Sequence, residues 1–357
     1  MTGVDRAVKR LRGPGASISG DCDGFYNQST VVAPHLVGDT MTYSLRMRIA
    51  SLLPSATEIS CALGRQADLV ARSHECDFPA AVVGLPVLTR STVDVAGRTP
   101  AQIDADVSAH LAEGGSTYAI DEPLLRELAP DLILTQALCD ICAVSAGEVH
   151  RAVHALELGS RVLTLTPLSL EAVFESIEEV GEAVERADVA RALTDSLRTR
   201  VAAARAARPA VESRPRVLAL EWTDPPFVGG HWVPEQIEAA GGIDVLGTPG
   251  RASFRTSWEA IAEARPEIVI VLPCGYDLDD VVAQVEALSI REPSWRALPA
   301  VQAGNVWAVE ASAWFSRPGP RVVEGIEALG PILRAASGEV VDPPGTRRLR
   351  LPAAPVG

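Results

Sequence analysis

The chain has 357 residues, enough for two domains that each bury a core. Hydrophobic residues make up 47% and charged residues 22%, a balance that excludes an intrinsically disordered chain. The formal net charge of -14, from 46 acidic against 32 basic residues, excludes the basic face that a nucleic-acid partner needs.

Residues 1–46 are rich in Gly, Ser and polar side chains without periodicity, and read as a disordered lead-in or as sequence upstream of a start at Met41 or Met47. They carry early positive charge but no apolar run, and Asp21 before Cys22 does not fit a lipid-anchor cleavage site. On this start the chain is expected to remain cytoplasmic, with reduced thiols. No stretch approaches the roughly eighteen apolar residues of a membrane-spanning helix.

Regular patterning begins at Arg48. "RIASLL" reads as a buried strand, followed by the helix "PSATEISCALG", in which Ser55 and Glu58 have capping-box spacing. Strands "ADLVARS" and "PVLT" follow, then the helix "EPLLRELA", the strand "DLILTQ", a helix in "AGEVHRAVHALEL" and the strand "RVLTLTP". From Ser169 to about Arg208, Leu170, Val173, Phe174, Ile177, Val180 and Val184, then Leu193, Leu197 and Val201, keep helical spacing. A continuous helix of that length would reach roughly 60 Å, more than one small domain is wide, so it predicts a bridge between two.

Beyond it come the strand "RVLALEW", helices in "PEQIEAAGG" and "SWEAIAEA", the strand "EIVIVLP", a helix in "DDVVAQVEAL", the strand "NVWAVE" and the helix "PRVVEGIEALGPILRAA". "LRELAPDLILTQ" and "AIAEARPEIVIVLP" share a helix end, a Pro, an acid and a buried strand. Alternation of strand and helix predicts an α/β fold of two Rossmann-like lobes. The lobes are expected at residues 47–167 and 211–337, joined by one long helix at 168–210, with a loosely ordered Pro-rich tail at 338–357.

Ligands of open α/β sheets bind outside the carboxyl ends of the strands. Ser55, Ala56 and Thr57 follow the first strand, and "HECDFP", with His74 and Cys76, follows the second. "ALCDIC", with Cys139 and Cys142, follows "DLILTQ". In the second half, Glu221, Trp222 and Asp224 close "RVLALEW" and lead to His231 and Trp232, Cys274 and Tyr276 follow "EIVIVLP", and Trp314, Phe315 and Arg317 follow "NVWAVE". The aromatic residues are only 4% of the chain, so their gathering at strand ends predicts a flat apolar ligand surface. The alternative for the same aromatics is to cap the sheet edges as core.

The thiols allow more than one reading. Cys139 and Cys142 are a metal clamp, a redox couple, or two small side chains packed at a helix start. With Cys76 and Cys274, and His74 in reserve, they would form a site for a transition metal or an iron-sulfur cluster. Cys22, Cys61, His110, His150 and His154 read as bystanders. "GxSxG" is absent and no Gly-rich phosphate loop follows the first strand, so a hydrolase is not indicated.

"RIASLLPSATEISCALG", "APDLILTQ", "AGGIDVLG", "SWEAIAEARPEIVIV", "GNVWAVE" and "FSRPGPRVVEGIEAL" together resemble the substrate-binding proteins of iron-siderophore and vitamin B12 ABC importers. The likeness covers residues 48 to about 336 and is greatest to cobalamin-binding members. It implies two lobes on a rigid helical backbone, a ligand such as cobalamin between them, no catalysis, a monomer, and an ABC permease as partner. It places Ser55, Ala56 and Thr57 on the cleft floor and Trp222, Trp232, Trp314, Phe315 and Arg317 opposite. A cytoplasmic transition-metal or iron-sulfur protein, with redox activity as one use of such a site, is the alternative that the thiols keep open.

Overall fold

The structure is a computed structural model that describes residues 46–138, 146–334 and 342–350. In the first lobe β1 (Ile49–Ser51) lies between β2 (Leu69–Arg72) and β5 (Leu132–Gln136), and β5 is flanked by β6 (Arg161–Leu165). All four strands are parallel. Strands β1 and β5 are wholly buried, as the middle strands of a sheet covered by helices on both faces must be. The chain leaves β1 towards one edge and β5 towards the other, so the strand order reverses between them.

The second lobe holds β7 (Arg216–Thr223), β8 (Pro226–Val228), β9 (Ile243–Asp244), β10 (Phe254–Arg255), β11 (Ile268–Val271), β12 (Val306–Val309) and β13 (Thr346–Leu349). Their order is β10-β8-β7-β11-β12-β13, with β9 beside the start of β7. Here β9, β7, β11 and β12 are parallel, and the order reverses between β7 and β11. The tail expected to be loosely ordered supplies β13, an antiparallel edge strand held by Arg348, which donates to Gly304 O at 2.7 Å and covers the Trp307 ring.

The repeated segment behaves alike in both lobes. The helix Glu122–Leu128 ends on Ala129 at φ 37°, and the helix Trp258–Ala264 on Arg265 at φ 48°. A Pro follows each, which bars the residue before it from right-handed helix and releases the chain into β5 or β11.

The linker differs from expectation. Instead of one helix there are two, Leu170–Ala183 and Ala187–Ala206, separated at Val184–Arg186 with Glu185 in the left-handed region at φ 58°. They fold back antiparallel: Thr194 Oγ1 donates to Glu178 at 2.6 Å, and Arg198 reaches both Glu178 and Glu171. Gly181 makes the turn-side contact possible, since a Cβ there would lie 2.3 Å from that of Ala190. The two apolar stripes were in phase along the sequence, but each belongs to its own helix and buries into a common core. The Leu170–Ala183 helix, about 21 Å long, carries the bridge. Its first amide donates to Glu235 of the second lobe at 2.6 Å, and Arg65 of the first lobe donates to Val184 O at its end at 2.8 Å.

A further unit goes beyond the expected elements. Strands β3 (Thr89–Ser91) and β4 (Tyr118–Ile120) form an antiparallel ribbon, and the helix Pro100–Ala112 stands between them in the chain. Its start was legible: Thr99 and Gln102 form a complete capping box, with Pro100 at the first helical position.

Candidate functional site

Both reversals of strand order place their crevices at the carboxyl ends of parallel strands, the position where such sheets take ligands. In the first lobe that end carries Leu52 to Ser55 after β1 and Ala137 and Leu138 after β5. In the second it carries Glu221, Trp222 and Asp224 at the end of β7, and Cys274 and Tyr276 after β11.

The lobes meet through charged side chains. The helix Pro54–Ala62 starts two residues earlier than the capping-box reading requires, with Leu53 as its cap, so Ser55 and Glu58 sit inside it and cap nothing. Glu58 is instead turned to the other lobe. Its carboxylate is 2% exposed and accepts from Arg321 at 2.5 and 2.8 Å, with Arg317 at 3.5 Å. Arg317 also donates to Asp77 at 2.6 and 3.2 Å and to Glu75 O at 3.2 Å, while Arg321 covers the Phe78 ring at 4.1 Å. Burial works to raise the Asp77 pKa, but the hydrogen bond and charge of Arg317 outweigh it and hold the carboxyl below its ordinary value. Gly319 passes over Ser55, with room for van der Waals contact and little else.

Nearer the other rim, the Trp222 and Tyr276 rings lie 5.6 Å apart, tilted by 51°. The Trp222 indole N–H donates to Asp224 O at 3.1 Å and, across the cleft, to Pro100 O at 3.3 Å. Arg255 joins Asp104 at 2.7 and 3.0 Å on the same side. Burial pushes the Tyr276 phenol up, with Asp280 adding to the shift, so it stays protonated and able to donate.

The remaining expected residues divide by burial. Ala56 is core, and the Thr57 hydroxyl bonds Ser51 at 2.8 Å and Cys76 at 3.0 Å within the lobe. Trp232 and Phe315, expected in the cleft, are instead 3% exposed in the hydrophobic core. Trp232 opens the helix Val233–Ala240, which lays its apolar side on the sheet, and the Phe315 ring faces Gly325. Trp314 is half-buried against Gly345 and donates to Glu324 at 3.3 Å, so it anchors the chain before β13. His231 adopts φ 55° beside Gly230, where a Cβ would meet Ser253 N at 2.3 Å, and burial lowers its pKa. Asp224 pairs with Arg291 at 3.3 Å. Glu221 and Cys274 are half-buried.

The thiol site expected of Cys76, Cys139, Cys142 and Cys274 gains no support. Cys139 and Cys142 lie outside the described residues. The Cys76 thiol is buried, accepts from the Thr57 hydroxyl within its own lobe, and is pushed up by burial to about 11. His74 bonds Thr89 through Nδ1 at 2.7 Å and stacks on Tyr118, which ties it to its own lobe. Among the described residues no three His, Cys, Asp or Glu side chains are grouped to hold a metal ion.

Sequence reasoning missed Asp77, Glu58 and Arg321 as interlobe residues. Two of them carried a signal: "CDFP", with Asp77, follows a strand end, and the arginine in "FSRPGPR" recurs four residues on at Arg321.

Two α/β lobes, each with a reversal of strand order and tied to each other by hydrogen-bonded contacts, define a two-lobed α/β protein. The family model described as periplasmic binding protein matches residues 49–313, and the chain belongs to that family. It is 24% identical over 295 residues to the vitamin B12-binding protein of Vibrio cholerae, covering 81% of this chain and 90% of that protein. Over 289 residues it is 28% identical to the cobalamin-binding protein of Halobacterium salinarum, covering 78% of this chain and 66% of that one. The fold also matches the periplasmic heme-binding protein BhuT in complex with two hemes, with a TM-score of 0.61, 24% identity, and coverage of 81% and 98%. The periplasmic vitamin B12-binding protein BtuF of Vibrio cholerae matches with a TM-score of 0.57, 22% identity, and coverage of 82% and 98%. These relatives are named as binding proteins. The expected cytoplasmic location has no support in a family described as periplasmic. No helix among the described residues is long and apolar enough to cross a membrane.

Proposed function

We propose that the protein is a substrate-binding component of an ABC importer that holds cobalamin, or a closely related metal-bearing macrocycle, between its lobes without transforming it. The observation that carries this reading is the Trp222–Tyr276 pair beside the reversal point of the second lobe, with Pro100 of the first lobe bonded to the same indole. A flat macrocycle laid on two aromatic rings gains about 25 cal/mol per Å² of apolar surface removed from water. The Tyr276 hydroxyl and Glu221 stand at the strand ends of the second lobe and are suited to orient its polar periphery, whereas Ser55 is buried under Gly319. The curated relatives named for vitamin B12 or cobalamin support this ligand ahead of heme, whose named binders share the fold. The partner that receives the ligand would be an ABC permease.

Calorimetric titration of cyanocobalamin and, separately, hemin into the reduced protein tests the reading. Saturation near one equivalent by cyanocobalamin is expected. A flat trace for both would overturn it.

A further inference from the structure

Among the described residues, the hydrogen-bonded contacts between the lobes fall into two sets of unlike depth. The first is the Glu58, Arg317, Arg321 and Asp77 network, in which Glu58 is buried. The second consists of Trp222 with Pro100 and Arg255 with Asp104, and in it the first lobe contributes only the helix Pro100–Ala112.

That helix buries one residue, Pro100. Its other side-chain bonds stay within its own excursion: Arg98 pairs with Asp106, the Thr99 and Gln102 side chains cap its start, and His110 Nε2 contacts Ser116 O at 2.9 Å. A helix with so little apolar burial draws little stability from packing and opens readily unless something else holds it. What reaches it from the second lobe is the Trp222 indole and the Arg255 guanidinium, the latter backed by the Phe227 ring at 5.6 Å. Trp222 is also one wall of the aromatic pair, so the bond that holds the helix and the surface proposed for the macrocycle belong to one side chain.

We propose that the helix Pro100–Ala112 is a clasp over the mouth of the cleft, held closed by Trp222 and Arg255, and that its release sets the rate at which ligand enters and leaves. The role in entry rests on the ligand reading above, whereas the clasp itself is observable without ligand. Release breaks two hydrogen-bonded contacts and uncovers Pro100 and the half-buried Ile103, Val107 and Leu111, with no other wholly buried residue of the helix, so the barrier is modest. The Arg255–Asp104 pair is half in solvent, with Arg255 54% exposed, and salt near physiological strength, with a Debye length of about 8 Å, weakens it.

Hydrogen exchange on the full ligand-free chain reads the clasp directly. In Arg255→Ala and in Trp222→Phe, which keeps a ring but loses the N–H, amides of residues 103–112 are expected to exchange about fivefold faster, with the helix Val322–Arg334 unchanged. Stopped-flow mixing with cyanocobalamin is the second readout. Association and dissociation are both expected to quicken by about the same factor in Arg255→Ala. In the wild type, the association rate should rise with salt, and in Arg255→Ala it should not. Unchanged exchange in both variants overturns the clasp, and so does faster exchange with unaltered binding rates and salt response. If neither cyanocobalamin nor hemin binds the wild type while exchange rises in the variants, the clasp stands and the ligand reading falls.

Discussion

The two bridges between the lobes use the same chemistry, arginine on carboxylate, at different depths. Glu58 is 2% exposed and takes two hydrogen bonds from Arg321, whereas Arg255 meets Asp104 with more than half of its own side chain in water. The difference teaches that an ion pair's structural weight follows from burial rather than from distance. A buried carboxylate cannot be left alone, while an exposed pair is readily replaced by water. The inner bridge therefore acts as a fixed strut and the outer one as a releasable contact.

The largest effect should come from Arg321→Ala, which leaves Glu58 buried beside Arg317 alone at 3.5 Å. A loss of about 3–5 kcal/mol of unfolding free energy is expected in urea titration. A loss under about 1 kcal/mol would make the strut no different from the outer contact and break the comparison. Arg317→Ala should rank next, at about 1.5–3 kcal/mol, because it removes charge-assisted bonds to Asp77 while Arg321 still serves Glu58.

Acid unfolding sharpens the same contrast. The Asp77 pKa is depressed in the folded state, so its stabilising contribution is fully present above the unfolded value of about 3.8 and is lost as pH falls through the lower folded value. Glu310 and Glu324 have the opposite sign. Burial raises both, so ionising them costs stability as pH rises from the ordinary value of 4.5 through the raised one. Asp77→Asn should flatten the stability decline below about pH 4 relative to wild type, as followed by thermal melts across pH. An identical acid limb would show that the Arg317 pair contributes nothing there. The smallest effect belongs to Arg255→Ala, where the melting curve should shift by less than about 1 kcal/mol even though the exchange of residues 103–112 rises.

Much of the architecture was legible in the chain because strand and helix periodicity report burial directly. β1, β5, β7, β11 and β12 were visible as apolar runs, and the paired "PDLIL" and "PEIVI" segments marked the two lobes. The clasp helix escaped notice because its sequence lacks a strong apolar stripe, which is the same property that leaves it loosely held. The linker was misread for a different reason. Helical spacing persists across Val184–Arg186, and a left-handed Glu185 leaves no mark in composition. Trp222 and Tyr276, expected together from their places after strands, do lie ring against ring. Trp232 and Phe315 had equally good places, yet their rings turn into the core.

By itself, the sequence determined which segments are buried strands, that two α/β lobes exist, and that polar and aromatic residues gather at strand ends. These follow from local periodicity and turn chemistry, which act over a few residues. Only the tertiary structure decided which aromatics face the cleft, that Glu58 binds Arg321 rather than capping its helix, and that Trp222 holds a helix of the opposite lobe. Those outcomes depend on contacts between residues more than a hundred positions apart. Nothing local records whether such a side chain will meet solvent, core or the facing lobe.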